Sequence, residues 1–262
     1  MKVNVISTVV IVALAAGLTN GSCYHDGGNI QAAPDKDTLT TLSIDTTRSG
    51  AYRKMVMHHY RVAGLANSGL DSAVFYTAYT GYLNLKAKGR TTSPILTIVD
   101  FNLPSTTNRM WIIDADKDSL LLSTWSAHGK GSGTEMAAIF SNIPGSLQTS
   151  LGFYLTAEEY IGKNGRSLKL DGLDVGYNTN ARKRYVVMHG ADYVSQDTID
   201  AYGHLGNSEG CPAVSHDVNH QVIDWVKGRS VLFIIGPSKD YHSVWLDEEV
   251  AMNQLLEPRN SD

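Results

Sequence analysis

A series of short apolar runs between Ile95 and Pro237 does most to restrict the fold. "ILTIVDF" (95–101), "RMWIIDAD" (109–116), "SLLLSTWSA" (119–127), "SLGFYLT" (150–156), "KRYVVMHG" (183–190) and "SVLFIIGP" (230–237) are separated by turn residues. Each is strand-length and holds β-branched or aromatic residues, so each reads as a strand. "DADKDS" joins the second to the third as a hairpin connection. Two helices interrupt the series late, Ser195 to Tyr202 and Ser215 to Lys227, the second closed by Gly228. Upstream, "DSAVFYTAYTGYLNLKAKG" places Val74, Ala78, Tyr82 and Leu85 at helical spacing, with Asp71 or Ser72 as cap and Gly89 as stop. The sum is mainly β with packed helices, an α+β fold whose strands are mostly antiparallel. The main domain is expected at 75–240, after a helical lead-in at 51–74 and before a charged, peripheral tail at 241–262.

The N-terminus, "MKVNVISTVVIVALAAGLTNGSC", has one lysine, an apolar run from Val3 to about Ala16, and small residues after it. That run is short for a bilayer span and has the layout of a secretory signal, read as residues 1–22. Two processing routes compete. "ALA" at Ala13 to Ala15 fits a signal peptidase, whereas "NGSC" ending at Cys23 is a loose lipoprotein-type site that would tether the protein through a lipid. Residues 23–50 are polar, with no sustained period, and read as a linker. An exported, periplasmic or cell-envelope protein is expected, with no membrane contact beyond an N-terminal lipid. The formal net charge of −4 excludes a sequence-independent nucleic-acid binder, which needs a basic face.

Export makes the cysteine count informative. The chain has 2 cysteines, and lipidation or removal of Cys23 leaves Cys211 alone. A lone thiol in an exported protein is either reactive or a small buried hydrophobe. Its setting is "GHLGNSEGCPAVS", and about twenty residues earlier "VVMHG" ends a strand at His189. A thiol nucleophile needs a neighbour that favours the thiolate and backbone donors where an oxyanion forms. His189 can supply the first. The N–H groups around Ser208 to Cys211 can supply the second, with Gly210 allowing close approach.

His-Gly at a strand end followed by Ser-x-Gly-Cys resembles the L,D-transpeptidase catalytic-domain (YkuD-like) family. "IVDFNLPSTTNRMWIIDAD", "STWSAHGKGSG", "FSNIPGSLQTSLGFYLT", "GRSLKLDGLDVGYNTNARKRYVVMHGADYVS" and "LGNSEGCPAVS" look like successive blocks of its murein L,D-transpeptidase-like branch. The resemblance implies an L,D-transpeptidase-like β-sandwich catalytic domain preceded by a helical segment. It also implies a Cys211 nucleophile, a His189 base, and site-shaping roles for Gly190, Ser208 and Gly210. No metal or other cofactor is implied. The implied partners are peptidoglycan stem peptides and an amine acceptor on another stem or a wall-linked protein. The implied reaction is acyl transfer through a Cys thioester to an amine, or to water as an L,D-carboxypeptidase. A peptidoglycan amidase or endopeptidase of the same fold, and a non-catalytic wall-binding domain, are the alternatives. Two positions depart from the family pattern: Glu209 replaces a frequent His, and Ala213 a frequent Arg or Asn.

His128, in a glycine-rich block, and His204, near the thiol, are auxiliary candidates. His216 and His220 have the i, i+4 spacing of zinc ligands. They fall opposite the apolar face formed by Val218, Val222, Trp225 and Val226, so they are expected in solvent. "NARKRY" is a basic cluster able to attract stem-peptide carboxylates, or simply an exposed strand flank.

Overall fold

The structure, a computed structural model, describes residues 47–256. The expected signal peptide, Cys23 and nearly all of the polar linker lie outside the described residues.

Eight strands form one sheet: β1 (Ile95–Asp100), β2 (Met110–Asp114), β3 (Ser119–Thr124), β4 (Gly152–Gly162), β5 (Gly165–Gly172), β6 (Val187–Gly190), β7 (Ala213–Val214) and β8 (Val231–Ile235). Their order is β3-β2-β1-β8-β4-β5-β6-β7. Only β1–β8 and β6–β7 pair in parallel; the other neighbours are antiparallel. Just past β3, Ala127 bridges Ala213 of β7, donating to its carbonyl at 2.8 Å and accepting at 3.4 Å. The sheet therefore curls until its edges meet. The expected β layers are one continuous, barrel-like sheet.

Alternation along the central strands explains their largely apolar character. Leu96, Ile98, Trp111, Ile113, Phe153, Leu155, Val231 and Phe233 point to one core. Ile95, Val99, Met110, Ile112, Tyr154, Leu232 and Ile234 point to the other. A strand buried on both faces favours apolar residues at nearly every position, and Thr97 in β1 and Thr156 in β4 are buried exceptions. Helices α1 (Arg48–Val62), α2 (Ser72–Ala87) and α5 (Glu248–Leu256) cover the first face. The second is closed by β5, β6 and α4 (His216–Val226). A short helix, α3 (Gln196–Tyr202), is capped by Ser195 at its start and by Gly203 at its end.

The helical segment is thus a layer of the same fold. Helix α2 straddles the expected boundary at 74/75, and Gly81 lets it sit directly on the sheet. A Cβ there would come within 2.0 Å of the Phe153 ring. The tail also differs from the expected peripheral segment. Buried Asn84 donates to the carbonyls of Trp245 and Asp247, each at 2.8 Å. Tyr241 and Ser243 donate to Asp174 at 2.8 and 2.6 Å. Charge content alone made that segment look external; its hydrogen bonds to buried groups hold it down.

Candidate active site

Strand register brings His189 and Cys211 to one cleft. In the parallel β6–β7 pair, His189 lies opposite Ala213. Stepping back two residues on each chain reaches Val187 and Cys211, and the Val187 N–H indeed donates to the Cys211 sulfur at 3.4 Å. Side chains two apart share a face, so imidazole and thiol emerge on the same side. Both line a cleft of about 610 Å³, with Lys130, Lys163, Arg184, Tyr193 and Glu209 among its walls.

The buried His189 ring is oriented by its own strand. Its Nδ1 lies 2.8 Å from the Gly190 carbonyl. A carbonyl only accepts, so Nδ1 carries the proton and Nε2 keeps its lone pair. Burial pulls His189 below its ordinary value, partly opposed by the Gly190 bond, while His216 and Lys163 push in the same direction as burial. Burial raises the Cys211 thiol, against the Val187 N–H, Lys163 and Arg184, which favour the thiolate. The resting pair is therefore neutral thiol and neutral imidazole. Both uncharged groups line the same cleft.

The loop before the thiol is fastened from both sides. Ser208 Oγ donates to the Cys211 carbonyl at 2.7 Å and accepts from the Gly210 N–H at 3.1 Å. The Ser208 N–H donates to the His128 carbonyl at 2.9 Å, and the Lys130 N–H to the Ser208 carbonyl at 2.8 Å. The N–H groups of Ser208 and Gly210 are thereby engaged within the fold. Among the described residues, those of Glu209 and Cys211 have no hydrogen-bond partner. Gly210 is buried against the Gln148 carbonyl and does not line the cleft, and Gly190 lines a neighbouring cavity.

A family model for the L,D-transpeptidase catalytic domain matches residues 66–235, well over half the chain. The chain belongs to this L,D-transpeptidase family. No curated protein matches it. Among solved structures, an L,D-transpeptidase from Mycobacterium smegmatis is 12% identical, with a TM-score of 0.34, covering 55% of this chain and 59% of that one. The helical cell shape determining protein Pgp2 from Campylobacter jejuni is 11% identical, with a TM-score of 0.39 and coverage of 68% and 63%. An L,D-transpeptidase from Stackebrandtia nassauensis is 13% identical, with a TM-score of 0.32 and coverage of 72% and 93%. The chain thus spans well under two thirds of the Mycobacterium protein.

The two departures from the L,D-transpeptidase pattern have different surroundings. Glu209 is exposed on the cleft rim, 3.4 Å from Lys130 Nζ. Ala213 is fully buried where the sheet closes, so it presents no polar group to the cleft. The auxiliary histidines are not brought to the thiol. His128 is fully buried, accepting from Arg109 Nη2 at 2.8 Å on Nδ1 and donating from Nε2 to the Gly133 carbonyl at 3.1 Å. Burial and Arg109 lower it to about 4. It acts on the loop through its backbone carbonyl. His204 donates to the Leu205 carbonyl at 2.6 Å and lines neither cavity.

The basic cluster divides. Arg182 pairs with Asp171 and Glu158 on the outside. Arg184 reaches the cleft, donating to the carbonyls of Ser141 (2.6 Å) and Gln148 (2.5 Å), and to Ser150. Lys163 is a wall residue missed in the sequence. It occupies the turn between β4 and β5, and β5 itself was not among the expected strands. The signal was present as Leu168-Lys-Leu170 alternation after "GKNG".

Proposed function

We propose that this chain is an exported cysteine acyltransferase of peptidoglycan, working as an L,D-transpeptidase. The observation that carries the reading is the His189–Cys211 pair in one cleft, with imidazole Nδ1–H tied to the Gly190 carbonyl. Nε2 takes the thiol proton as sulfur attacks the carbonyl of the third stem residue. The N–H groups of Cys211 and Glu209 receive the oxyanion; one such donor is worth on the order of 10²-fold in rate. The imidazolium then protonates the amine of the departing terminal D-Ala, leaving a thioester on Cys211. An amine resolves the thioester by transfer, or water by hydrolysis. Lys130, Lys163 and Arg184 outnumber the single carboxylate of Glu209 in the cleft walls, which suits a substrate rich in carboxylates.

The test is incubation of the chain with disaccharide-tetrapeptide, followed by mass spectrometry of protein and products. A thioester adduct on Cys211 with cross-linked or trimmed stems is expected, and Cys211→Ala should abolish both while keeping the fold. Cleavage of existing cross-links without transfer would favour an amidase or endopeptidase. Binding without adduct or turnover would leave a wall-binding domain. Export and tethering are part of the proposal, and a diacyl mass shift at Cys23 in cells separates a tethered protein from a freely secreted one.

A further inference from the structure

A second cavity, of about 400 Å³, adjoins the cleft and shares Lys163, Asn164 and Tyr193 with it. Gly190 lines this cavity, whereas its neighbour His189 lines the cleft, so one residue of β6 separates them. The absence of a side chain at Gly190 admits the His216 imidazole, since a Cβ there would lie 2.5 Å from His216 Nδ1. His216 is therefore not a purely solvated residue of α4. Its ring packs against the β6 end, and its Nε2 lies 3.4 Å from Asp192 Oδ1. Asn219, another wall residue, is buried, and its Oδ1 has no partner among the described residues. The walls thus combine the His216 and His220 imidazoles with the Asp192 carboxylate and the cations Lys163 and Arg166. Such a set suits a group that is both a hydrogen-bond donor and an anion.

The chemistry of transfer calls for such a site. An alkylammonium must lose two protons to become an amide nitrogen: one before it can attack, the second as the tetrahedral intermediate collapses. When the C–N bond forms and the C–S bond breaks, His189 Nε2 can carry the second proton to the departing sulfur, regenerating the thiol. The first proton needs another acceptor, open to solvent so that it can be released. His216 is half exposed and backed by a carboxylate, and it stands one residue from the base.

We propose that this cavity binds the acceptor as an amine with a carboxylate on the same carbon, and that His216, beside the exposed Asp192 carboxylate, takes the ammonium proton. Lys163 pairs with the acceptor carboxylate. This rests on the acyl-transfer reading and deepens it by assigning a place and a base to its second half.

The experiment measures how the acyl-enzyme divides between amine and water. Disaccharide-tetrapeptide is the donor, glycine or glycinamide the acceptor, and mass spectrometry reads transferred against hydrolysed product. Both products come from one acyl-enzyme, so their ratio is independent of how fast it forms. His216→Gln should lower the glycine-to-water ratio by roughly tenfold or more, and Asp192→Asn by less. His216→Ala should regain transfer when imidazole is added, which a structural defect would not do. Lys163→Met should reduce the preference for glycine over glycinamide. A Cys211 adduct with a ratio within twofold of wild type in His216→Gln, or one resolved only by water in the wild type, overturns this proposal alone. No adduct in the wild type overturns acyl transfer itself and this proposal with it.

Discussion

Gly210 offers a test of how rigidly the loop places the thiol. Its φ is +121°, and a Cβ would lie 2.8 Å from the Gln148 carbonyl oxygen, a backbone atom. Arg184 donates to that same carbonyl, which limits its retreat. Gly210→Ala therefore adds backbone strain of about 1–3 kcal/mol and an overpacking cost of about 1–3 kcal/mol. For a domain of this size, a combined loss of about 2–6 kcal/mol lowers Tm by roughly 4–24 °C. What strain remains is relieved by moving the loop, and a shift on the order of 1 Å at the nucleophile costs about 10²-fold in turnover. Gly203→Ala is the control. Its φ is +76°, but nothing lies within 4 Å of the added atom. It should cost about 1–2 kcal/mol, with turnover unchanged. Thermal melts and peptide turnover on both variants decide the matter. If Gly210→Ala melts with Gly203→Ala and keeps wild-type turnover, close packing at Gly210 does not position Cys211.

Other outcomes follow from the charges of the site. His189 accepts a proton only when neutral, and its value lies below the ordinary 6.5. The acid limb of the acylation rate should therefore fall below pH 6.5, and the plateau should extend past 9.0 because the thiol is raised; a midpoint above 6.5 contradicts the environment described. His128 is neutral when folded, down to about 4, whereas the unfolded chain protonates it near 6.5. The unfolded state thus binds the proton first, and about 3 kcal/mol of stability is lost as pH falls through that window. Urea melts at pH 7 and pH 4 should show that much less loss in His128→Gln, whose amide can still accept from Arg109 and donate to Gly133. Arg184→Met strands the Gln148 carbonyl, leaves the Ser141 carbonyl with the Ser150 hydroxyl alone, and removes a cation that favours the thiolate. It should cost about 2–4 kcal/mol in stability and move the pH midpoint of Cys211 alkylation upward; a downward move refutes the electrostatic role.

How much of this was legible in the sequence depended on whether a side chain's partner was local. Six of the eight strands, the Asp71 cap and the Gly228 turn rest on neighbouring residues, and periodicity exposed them. Strand β7 has two residues and exists only because β6 and Ala127 flank it. No local pattern marks it, yet its register sets Cys211 beside Val187. The same limit governs the charged groups. Arg182 and Arg184 are neighbours in one basic cluster, and only the loop at 141–150, folded back across the sheet, makes the second a cleft residue. His216 shows the limit most sharply. Helical periodicity puts it opposite Val222 and Val226, which is correct for its own helix. Periodicity describes a helix against one core, however, and α4 also meets the end of β6, where Gly190 leaves a gap that a ring can fill. The unanswered choice between amine and water therefore moves away from Glu209 and Ala213. Ala213 is walled into the sheet closure, and Glu209 is paired at the rim. The residue placed to affect the second step lies across Gly190, on a face that its own helix marked as solvent.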